Sequence, residues 1–136
     1  MELEPYLDLG GRCEEALNFY AKVFGGEITQ LNRFEDAPAG MGVDPNQKQK
    51  IMHATFVSPS LKFMASDGRG GSEPPKSGNV TLSLATSDLS EVERVFNALA
   101  EGGSVEMPLE DTFWGARFGM LTDAFGIRWM LNCMKG

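Results

Sequence analysis

The sequence predicts an α+β fold of two successive βαβββ modules, and three observations support this prediction. The same order of elements occurs twice, namely one strand, one amphipathic helix and three further strands. A Gly-Gly pair, at residues 25–26 and again at 102–103, follows each predicted helix and ends it. A stretch rich in Gly and Pro at residues 68–78 separates the two sets and predicts a linker. Module one therefore covers residues 1–67, and module two covers residues 79–136.

Module one begins with a predicted strand at residues 2–9, in which Leu7 and Leu9 share one face. The helix that follows carries apolar residues at spacings of three and four, as amphipathic helices do. These residues are Cys13, Ala16, Leu17, Tyr20, Val23 and Phe24. Three more strands are predicted at residues 27–34, 50–57 and 61–66. Residues 35–49 contain two Pro and two Gly, and a loop of this length is typical of a mobile lid.

Module two begins with a predicted strand at residues 79–85, whose alternation directs Val80, Leu82 and Leu84 into the core. Ser87 or Asp88 is expected to cap the helix that follows. Its apolar stripe consists of Leu89, Val92, Val95, Phe96 and Leu99. A further strand is predicted at residues 104–109.

The chain closes with a predicted hairpin at residues 114–132, in which two apolar runs flank a turn that ends in Gly126. Ile127, Trp129 and Leu131 fall on one face of the last strand, which is expected to pack against helices. The opposite face is more polar and is expected to line a ligand site. It carries Arg128, Met130 and Asn132.

The composition restricts the classes of partner that the protein can have. The chain has 136 residues, of which 42% are hydrophobic and 23% charged, as in an ordinary globular domain. Its net charge of -7 and the absence of a basic run argue against nucleic-acid binding. No apolar run approaches the length of a membrane span, and the N-terminus lacks the pattern of a signal peptide. We therefore expect a cytoplasmic protein, with Cys13 and Cys133 as free thiols.

Several short motifs resemble the PhnB-like branch of the glyoxalase/bleomycin-resistance/extradiol-dioxygenase group, the vicinal oxygen chelate superfamily. The most specific is the phrase EALNFYAKVFGG at residues 15–26, in combination with WGARFG at 114–119 and DAFGIRW at 123–129. Weaker matches occur at residues 5–7, 52–54 and 63–67. The resemblance implies paired βαβββ modules that form a cupped, eight-stranded mixed sheet within one glyoxalase-like domain of residues 1–136. It also implies a homodimer.

Enzymes of this superfamily usually hold a divalent metal with His and Glu side chains at the first and last strands of each module. Carried over by resemblance, those positions are Glu4 (or Pro5), Met64, Asn79 and Met130. Only Glu4 is a common ligand for such ions, and a thioether is a poor one. We therefore expect neither the usual metal site nor another cofactor.

The leading functional hypothesis is a metal-free cup that binds a small organic molecule. Its expected ligand-binding residues are Glu4, Tyr6, His53, Met64, Asn79, Thr81, Trp114, Arg128 and Met130. An alternative is a lyase, isomerase or dioxygenase-type enzyme that uses His53 with an atypical metal. Some PhnB-like proteins carry the label of a demethylubiquinone methyltransferase, but no Gly-rich nucleotide fingerprint follows a strand here. In a third alternative the cup is collapsed and the dimer surface carries the function.

Individual side chains leave further alternatives open. His53, the only histidine, is either a proton-transfer group or a hydrogen-bonded strand residue. Asp67 is expected to cap the Gly-rich turn rather than face the cup. Trp114 forms either an aromatic wall for the ligand or a plug at a sheet end or subunit interface. Arg117 and Arg128 either bind an anion or, in the favoured interpretation, form ion pairs with nearby carboxylates. The carboxylates considered are Asp123, Glu110 and Asp111.

Overall fold

The computed structural model describes residues 1–38, 45–68 and 78–134. The chain divides into two compact units, of which unit 1 ends at Pro74 and unit 2 begins at Pro75. Unit 1 contains strand β1 (Tyr6–Asp8), helix α1 (Cys13–Phe24) and strands β2 (Glu27–Arg33), β3 (Ile51–Val57) and β4 (Lys62–Ser66). Unit 2 contains strand β5 (Leu82–Thr86), helix α2 (Leu89–Ala100) and strands β6 (Ser104–Asp111), β7 (Ala116–Thr122) and β8 (Arg128–Met134). Both units have the predicted βαβββ order.

Each unit forms one four-stranded mixed sheet, and the two sheets have equivalent strand orders. The order is β1-β4-β3-β2 in unit 1 and β5-β8-β7-β6 in unit 2. The first strand of each unit pairs in parallel with the last, and the other pairs are antiparallel. This confirms the predicted α+β class with two modules.

The core of unit 1 lies between α1 and one face of its sheet. The predicted helix stripe is buried except for Phe24, which is half-buried. The ring of Tyr20 meets that of Phe63 edge-on with 5.7 Å between centroids. Phe63 in turn stacks on Phe56 of β3 at 5.0 Å. The helix ends at Gly25, which adopts φ +70° and donates its N–H to the carbonyl of Ala21. The first Gly-Gly pair therefore ends its helix as predicted.

The core of unit 2 lies between α2 and the face of its sheet that carries Trp129 and Leu131, which are 2% and 1% exposed. Gly119 of β7 allows this packing, because a Cβ there would lie 2.7 Å from the ring of Phe96. Asp88 caps α2 and accepts a hydrogen bond from the backbone N–H of Glu91. The alternation predicted for the last strand is confirmed.

Several predicted element boundaries were wrong. Strand β1 is three residues long instead of eight, and β5 starts at Leu82, so that Val80 precedes it and is 72% exposed rather than inward. Leu82 and Leu84 are only half-buried. Strand β6 continues beyond the predicted end to Asp111. A strand held by a single parallel neighbour ends where its ladder ends, and apolar alternation alone does not reveal that point.

Parts of the predicted lid and linker lie outside the described residues, namely 39–44 and 69–77. The described ends of the lid segment form two short 3-10 helices, Phe34–Asp36 and Pro45–Gln47. The amide of Gln49 donates to the carboxylate of Glu35 across this segment. Among the described residues, no helix combines the length and apolarity that crossing a bilayer requires.

Candidate functional site

The sheet face of unit 1 that is turned away from α1 collects several of the predicted ligand-binding residues. Strand alternation directs Leu7, Phe56 and Phe63 toward α1, so their neighbours face the other way. The register then places one residue from each strand in a row across the sheet. This row consists of Tyr6, Met64, Thr55 and Gln30, and we call the surface around it the Tyr6 face.

His53 lies on the Tyr6 face in contact with Tyr6. The Tyr6 hydroxyl and His53 Nδ1 are 3.2 Å apart and form a hydrogen bond, and the two ring centroids are separated by 5.7 Å. The Tyr6 side chain is about half exposed and His53 is half-buried. The register of β3 shifts just before His53, where Met52 is an extra residue opposite β2. Such a bulge re-aims the side chains beside it.

Glu4 and Met64, the two positions of unit 1 that match the family's metal ligands, carry donors that do not suit the usual divalent metal. The Glu4 carboxylate is engaged with the Lys62 ammonium at 3.1 Å, and Met64 offers a thioether. Among the described residues, no three His, Cys, Asp or Glu side chains come together as a group that could hold an ion. The matching positions in unit 2 are an amide and a second thioether, Asn79 and Met130. This donor set does not fit a hard or borderline divalent metal.

In unit 2, the face turned away from α2 carries Met130 and Asn132, both half-buried, as predicted. Met130 is the register partner of Ser83 on one side and of Met120 on the other. Asn79 and Thr81 precede β5 rather than lie in it; Asn79 is exposed and Thr81 half-buried. Met107 of β6 continues this row beside Met120, so the surface is softer and more apolar than the Tyr6 face.

The two arginines of the closing hairpin have partners other than the predicted ones. Arg128 donates a hydrogen bond to the backbone carbonyl of Gly78 at 3.2 Å. The Arg117 guanidinium lies 3.5 Å from the carboxylate of Glu93 on α2. Ion pairing was therefore the correct interpretation for Arg117, but its partner comes from the helix. Sequence spacing could not indicate a partner on another element.

Trp114 is located at the tip of the β6–β7 hairpin, where it belongs to an aromatic cluster. Its ring meets those of Phe113 and Phe118 edge-on, with centroid distances of 5.0 and 5.8 Å. Phe113 is 97% exposed and Trp114 48%. Phe113 was missed by the sequence analysis, although an aromatic dipeptide followed by Gly115 is a recognisable signal of an exposed turn.

Asp67 does not cap the Gly-rich turn, and that prediction was wrong. Its buried carboxylate accepts hydrogen bonds from the backbone N–H groups of Cys13 and Ile51, each at 2.7 Å. It therefore holds the start of α1 against the start of β3. Asp123 is a buried carboxylate in unit 2, but its contacts are local: it accepts from the turn backbone at Phe125 and from the Trp129 indole N–H.

Neither cysteine is a candidate nucleophile, because both thiols, although free, are buried. Burial, reinforced by the nearby Asp67 carboxylate, raises the pKa of the Cys13 thiol to about 12. A thiol with this pKa supplies almost no thiolate at neutral pH. We therefore interpret Cys13 as a structural residue of the core.

A polar cleft of about 640 Å³ lies beside the start of α1 and was not predicted from the sequence. Its charged groups neutralise each other: Arg33 pairs with Glu14 at 2.7 Å, and Arg12 pairs with Glu15 at 2.8 Å. The Lys50 ammonium donates to a backbone carbonyl of the loop before the helix. The arrangement joins α1 to the neighbouring strands, and each cation among the described lining residues already has a hydrogen-bond partner within the protein.

Comparison with known proteins relates this chain to one superfamily over most of its length. A model of the Glyoxalase/Bleomycin resistance protein/Dioxygenase superfamily matches residues 9–131. Protein YjdN of Escherichia coli (strain K12) is 33% identical over an aligned length of 146 residues, and the alignment covers 99% of this chain and 97% of YjdN.

Two solved structures are similar across the whole fold. Protein PA1353 from Pseudomonas aeruginosa is 43% identical with a TM-score of 0.87, covering 100% of this chain and 99% of PA1353. A PhnB protein from Bacillus cereus, described as a putative 3-demethylubiquinone-9 3-methyltransferase, is 28% identical with a TM-score of 0.81. That match covers 98% of this chain and 99% of the Bacillus cereus protein. The chain is thus a PhnB-like member of the glyoxalase/bleomycin resistance protein/dioxygenase superfamily.

Proposed function

We propose that the protein binds a small organic molecule, without a divalent metal, on the sheet faces that are turned away from the two helices. The observation that carries this proposal is the Tyr6–His53 pair, a hydrogen-bonded phenol and imidazole of which Tyr6 is about half exposed. A surface that only completes a fold would not need an accessible polar pair there. Binding sites typically combine such a pair with an apolar floor.

The apolar floor is provided by methionine. Met64 is the register neighbour of Tyr6 in unit 1, and Met130 has an equivalent place beside Met120 in unit 2. Methionine is flexible and polarisable, so it adapts to apolar ligands of different shapes. A polar pair beside an adaptable apolar surface supports the binding of small organic molecules.

Methionine methyl NMR tests this proposal directly. The chain has eight methionines, and Met→Leu substitutions assign each ¹³C-methyl signal. We expect members of a library of small aromatic and aliphatic fragments to shift the Met64 or Met130 signal saturably. Met1, which is fully exposed, serves as the control for non-specific contact. If no fragment shifts Met64 or Met130 more than Met1, the proposed function is wrong.

Elemental analysis of the purified protein tests the second part of the proposal. Because the donor set does not fit a divalent ion, we expect no stoichiometric metal and no change in fragment binding on addition of a chelator. Stoichiometric Zn, Ni, Mn or Fe would contradict a metal-free binding site.

The Tyr6–His53 hydrogen bond favours acid–base catalysis as a second candidate function. Histidine is the usual proton-transfer group at neutral pH, and a phenol beside it can hold or return a proton. Acetophenone in D₂O provides a test, because a base that removes an α-proton allows deuterium to replace it. Exchange that the wild type accelerates and His53→Gln does not would support catalysis, whereas equal rates would exclude this activity.

The methyltransferase name of the Bacillus cereus protein does not extend to this chain in our proposal. Methyl transfer from a nucleotide-type cofactor is usually accompanied by a Gly-rich turn between a strand and a helix. In unit 1 the corresponding turn is Gly10-Gly11, which lacks that fingerprint. Binding of S-adenosylmethionine in calorimetry would contradict this conclusion.

We further propose that the protein is a homodimer. Strand β6 lies at the edge of its sheet and exposes Val105 and Met107. Exposed apolar edge strands tend to be covered by a partner, and a second copy is the simplest one. Sedimentation that shows a monomer at micromolar concentration would refute the proposal.

A further inference from the structure

The Tyr6–His53 pair also indicates the chemical class of ligand that unit 1 would accept. We infer that the Tyr6 face recognises a neutral molecule with a planar apolar body and a carbonyl oxygen, which accepts a hydrogen bond from His53 Nε2. This inference rests on the proposed function and specifies it further.

The first step is the direction of the hydrogen bond between the two side chains. A phenol keeps its proton at neutral pH, and an imidazole nitrogen is a better acceptor than a phenol oxygen. The Tyr6 hydroxyl therefore donates to Nδ1 of neutral His53, and the ring proton is then on Nε2. If His53 is protonated, Nδ1 donates to Tyr6 instead, and Nε2 still carries a proton. In both states Nε2 is a donor, so the matching ligand atom is an acceptor.

Among the described residues, Tyr6 is the one hydrogen-bond partner of the His53 ring, which leaves Nε2 for a ligand. Tyr6 thus acts as a positioning residue that fixes the tautomer of His53. Its half-exposed ring and the neighbouring Met64 supply flat apolar contact area. This combination fits an aromatic or unsaturated body that carries a carbonyl group.

The charges around the Tyr6 face disfavour an anionic acceptor. Glu4 and Lys62 neutralise each other at 3.1 Å, and Glu27 at the start of β2, the register partner of Val57, adds an exposed negative charge. On this face Asp8 of β1 remains as a negative charge, and it is exposed. The protein as a whole carries a net charge of -7. A carboxylate would be repelled, so a neutral carbonyl is the preferred acceptor.

Three probes of similar size separate these contributions: acetophenone, benzoate and ethylbenzene, each titrated against the Met64 methyl signal. One hydrogen bond typically contributes about 0.5–1.5 kcal/mol, which is roughly a 2- to 10-fold difference in affinity. We expect acetophenone to bind more tightly than ethylbenzene by such a factor and more tightly than benzoate. His53→Phe should abolish the preference for acetophenone over ethylbenzene.

Tyr6→Phe keeps the aromatic surface and removes only the hydroxyl. We expect it to lower the preference for acetophenone and to shift the ¹⁵N signals of the single histidine toward a mixture of tautomers. A merely structural role of the hydroxyl would leave the tautomer ratio unchanged. Tyr20→Phe is the matched control, since it removes the same hydroxyl from a tyrosine that is buried in the core on the α1 side, and it should leave both the preference and the tautomer unaltered.

The outcomes distinguish this inference from the proposed function. If acetophenone and ethylbenzene bind equally, or if benzoate binds most tightly, the assigned ligand class is wrong while small-molecule binding stands. An unchanged tautomer ratio in Tyr6→Phe would overturn the positioning role of Tyr6. If none of the probes and no library fragment shifts Met64 or Met130, the proposed function and this inference fail together.

Discussion

Units 1 and 2 share their element order and their strand order, but they hold their helices in different ways. Helix α1 has no side-chain cap at Arg12, and instead its first N–H is bound by Asp67, which is 54 residues away. Helix α2 is capped locally by Asp88, the residue immediately before it. The same topology can therefore be stabilised by a long-range contact in one unit and by a local contact in the other.

The sheet faces opposite the two helices also differ, in the side chains that they carry. The face opposite α1 carries a hydrogen-bonded tyrosine–histidine pair, whereas the face opposite α2 carries Met130 and Met120 as register partners. The polar chemistry of the proposed site is thus concentrated in unit 1, and unit 2 provides adaptable apolar surface. Equivalent topology has not produced equivalent chemistry.

The largest expected effect concerns the two helix starts. Asp67→Ala would leave the buried N–H groups of Cys13 and Ile51 without acceptors, and we expect a loss of about 3 kcal/mol or more in unfolding free energy. Asp88→Ala, in the exposed local cap, should cost clearly less. Urea unfolding of both variants measures the difference. Asp67→Asn keeps one acceptor oxygen, so its loss of unfolding free energy should be smaller than that of Asp67→Ala and larger than that of Asp88→Ala. Equal losses for the two alanine variants would remove the contrast between long-range and local capping.

The next prediction concerns how closely each helix approaches its sheet. Gly119→Ala would place a Cβ 2.7 Å from the Phe96 ring, and we expect a loss of about 1–3 kcal/mol from overpacking. In unit 1 the equivalent strand is β3, which carries the fully buried Ala54. Ala54→Gly should therefore cost about 1 kcal/mol in unfolding free energy, through lost packing and a more flexible backbone. Thermal or urea unfolding checks both values. A neutral Gly119→Ala would show that α2 can move away from the sheet at little cost.

The contrast between the units also shows what the sequence could and could not reveal. The alternation of Trp129 and Met130 was predictable, because a strand with one buried face repeats with a period of two. The role of Asp67 was not, since a carboxylate that binds backbone groups 16 and 54 residues away leaves no spacing signal. The Tyr6–His53 contact joins residues 47 apart, so both could be proposed individually but not as a pair.

Element ends followed the same rule. The Gly-Gly stop at residues 25–26 was found because Gly25 ends the helix in the left-handed conformation that glycine adopts most readily, and this is a local signal. The short length of β1 and β5 depends instead on where their parallel partners stop pairing. Local chemistry was predictable from the sequence, and partner-dependent features required the structure.

The buried thiol of unit 1 gives the protein a specific sensitivity to high pH. Burial raises the pKa of Cys13 from 9.0 to about 12, so above pH 9 the unfolded chain loses this proton while the folded chain keeps it. Its stabilising contribution is complete below pH 9 and decreases between pH 9 and 12, by at most about 1.4 kcal/mol per pH unit. We expect the difference in unfolding free energy between the wild type and Cys13→Ala to shrink over this range. A constant difference would contradict the raised pKa.

The smallest expected effects come from two bidentate ion pairs, one in each unit. Arg33 joins β2 to Glu14 of α1 and also donates to the carbonyl of Gln49, whereas Arg94 binds Glu91 within α2. The Arg33 pair connects separate elements and is less exposed, so Arg33→Gln should lower the melting temperature more than Arg94→Gln.

Acid provides a second measurement on the same two pairs. The hydrogen bond from Arg33 lowers the pKa of Glu14, and that from Arg94 lowers the pKa of Glu91. Each contribution is therefore complete above the ordinary glutamate pKa of 4.5 and is lost as the pH falls through the lowered value in the folded protein. The difference in melting temperature between wild type and Arg33→Gln should accordingly be largest at neutral pH and low salt, and should vanish in strong acid. If Arg94→Gln proved the more damaging variant, ion pairs between elements would not stabilise this fold more than those within a helix.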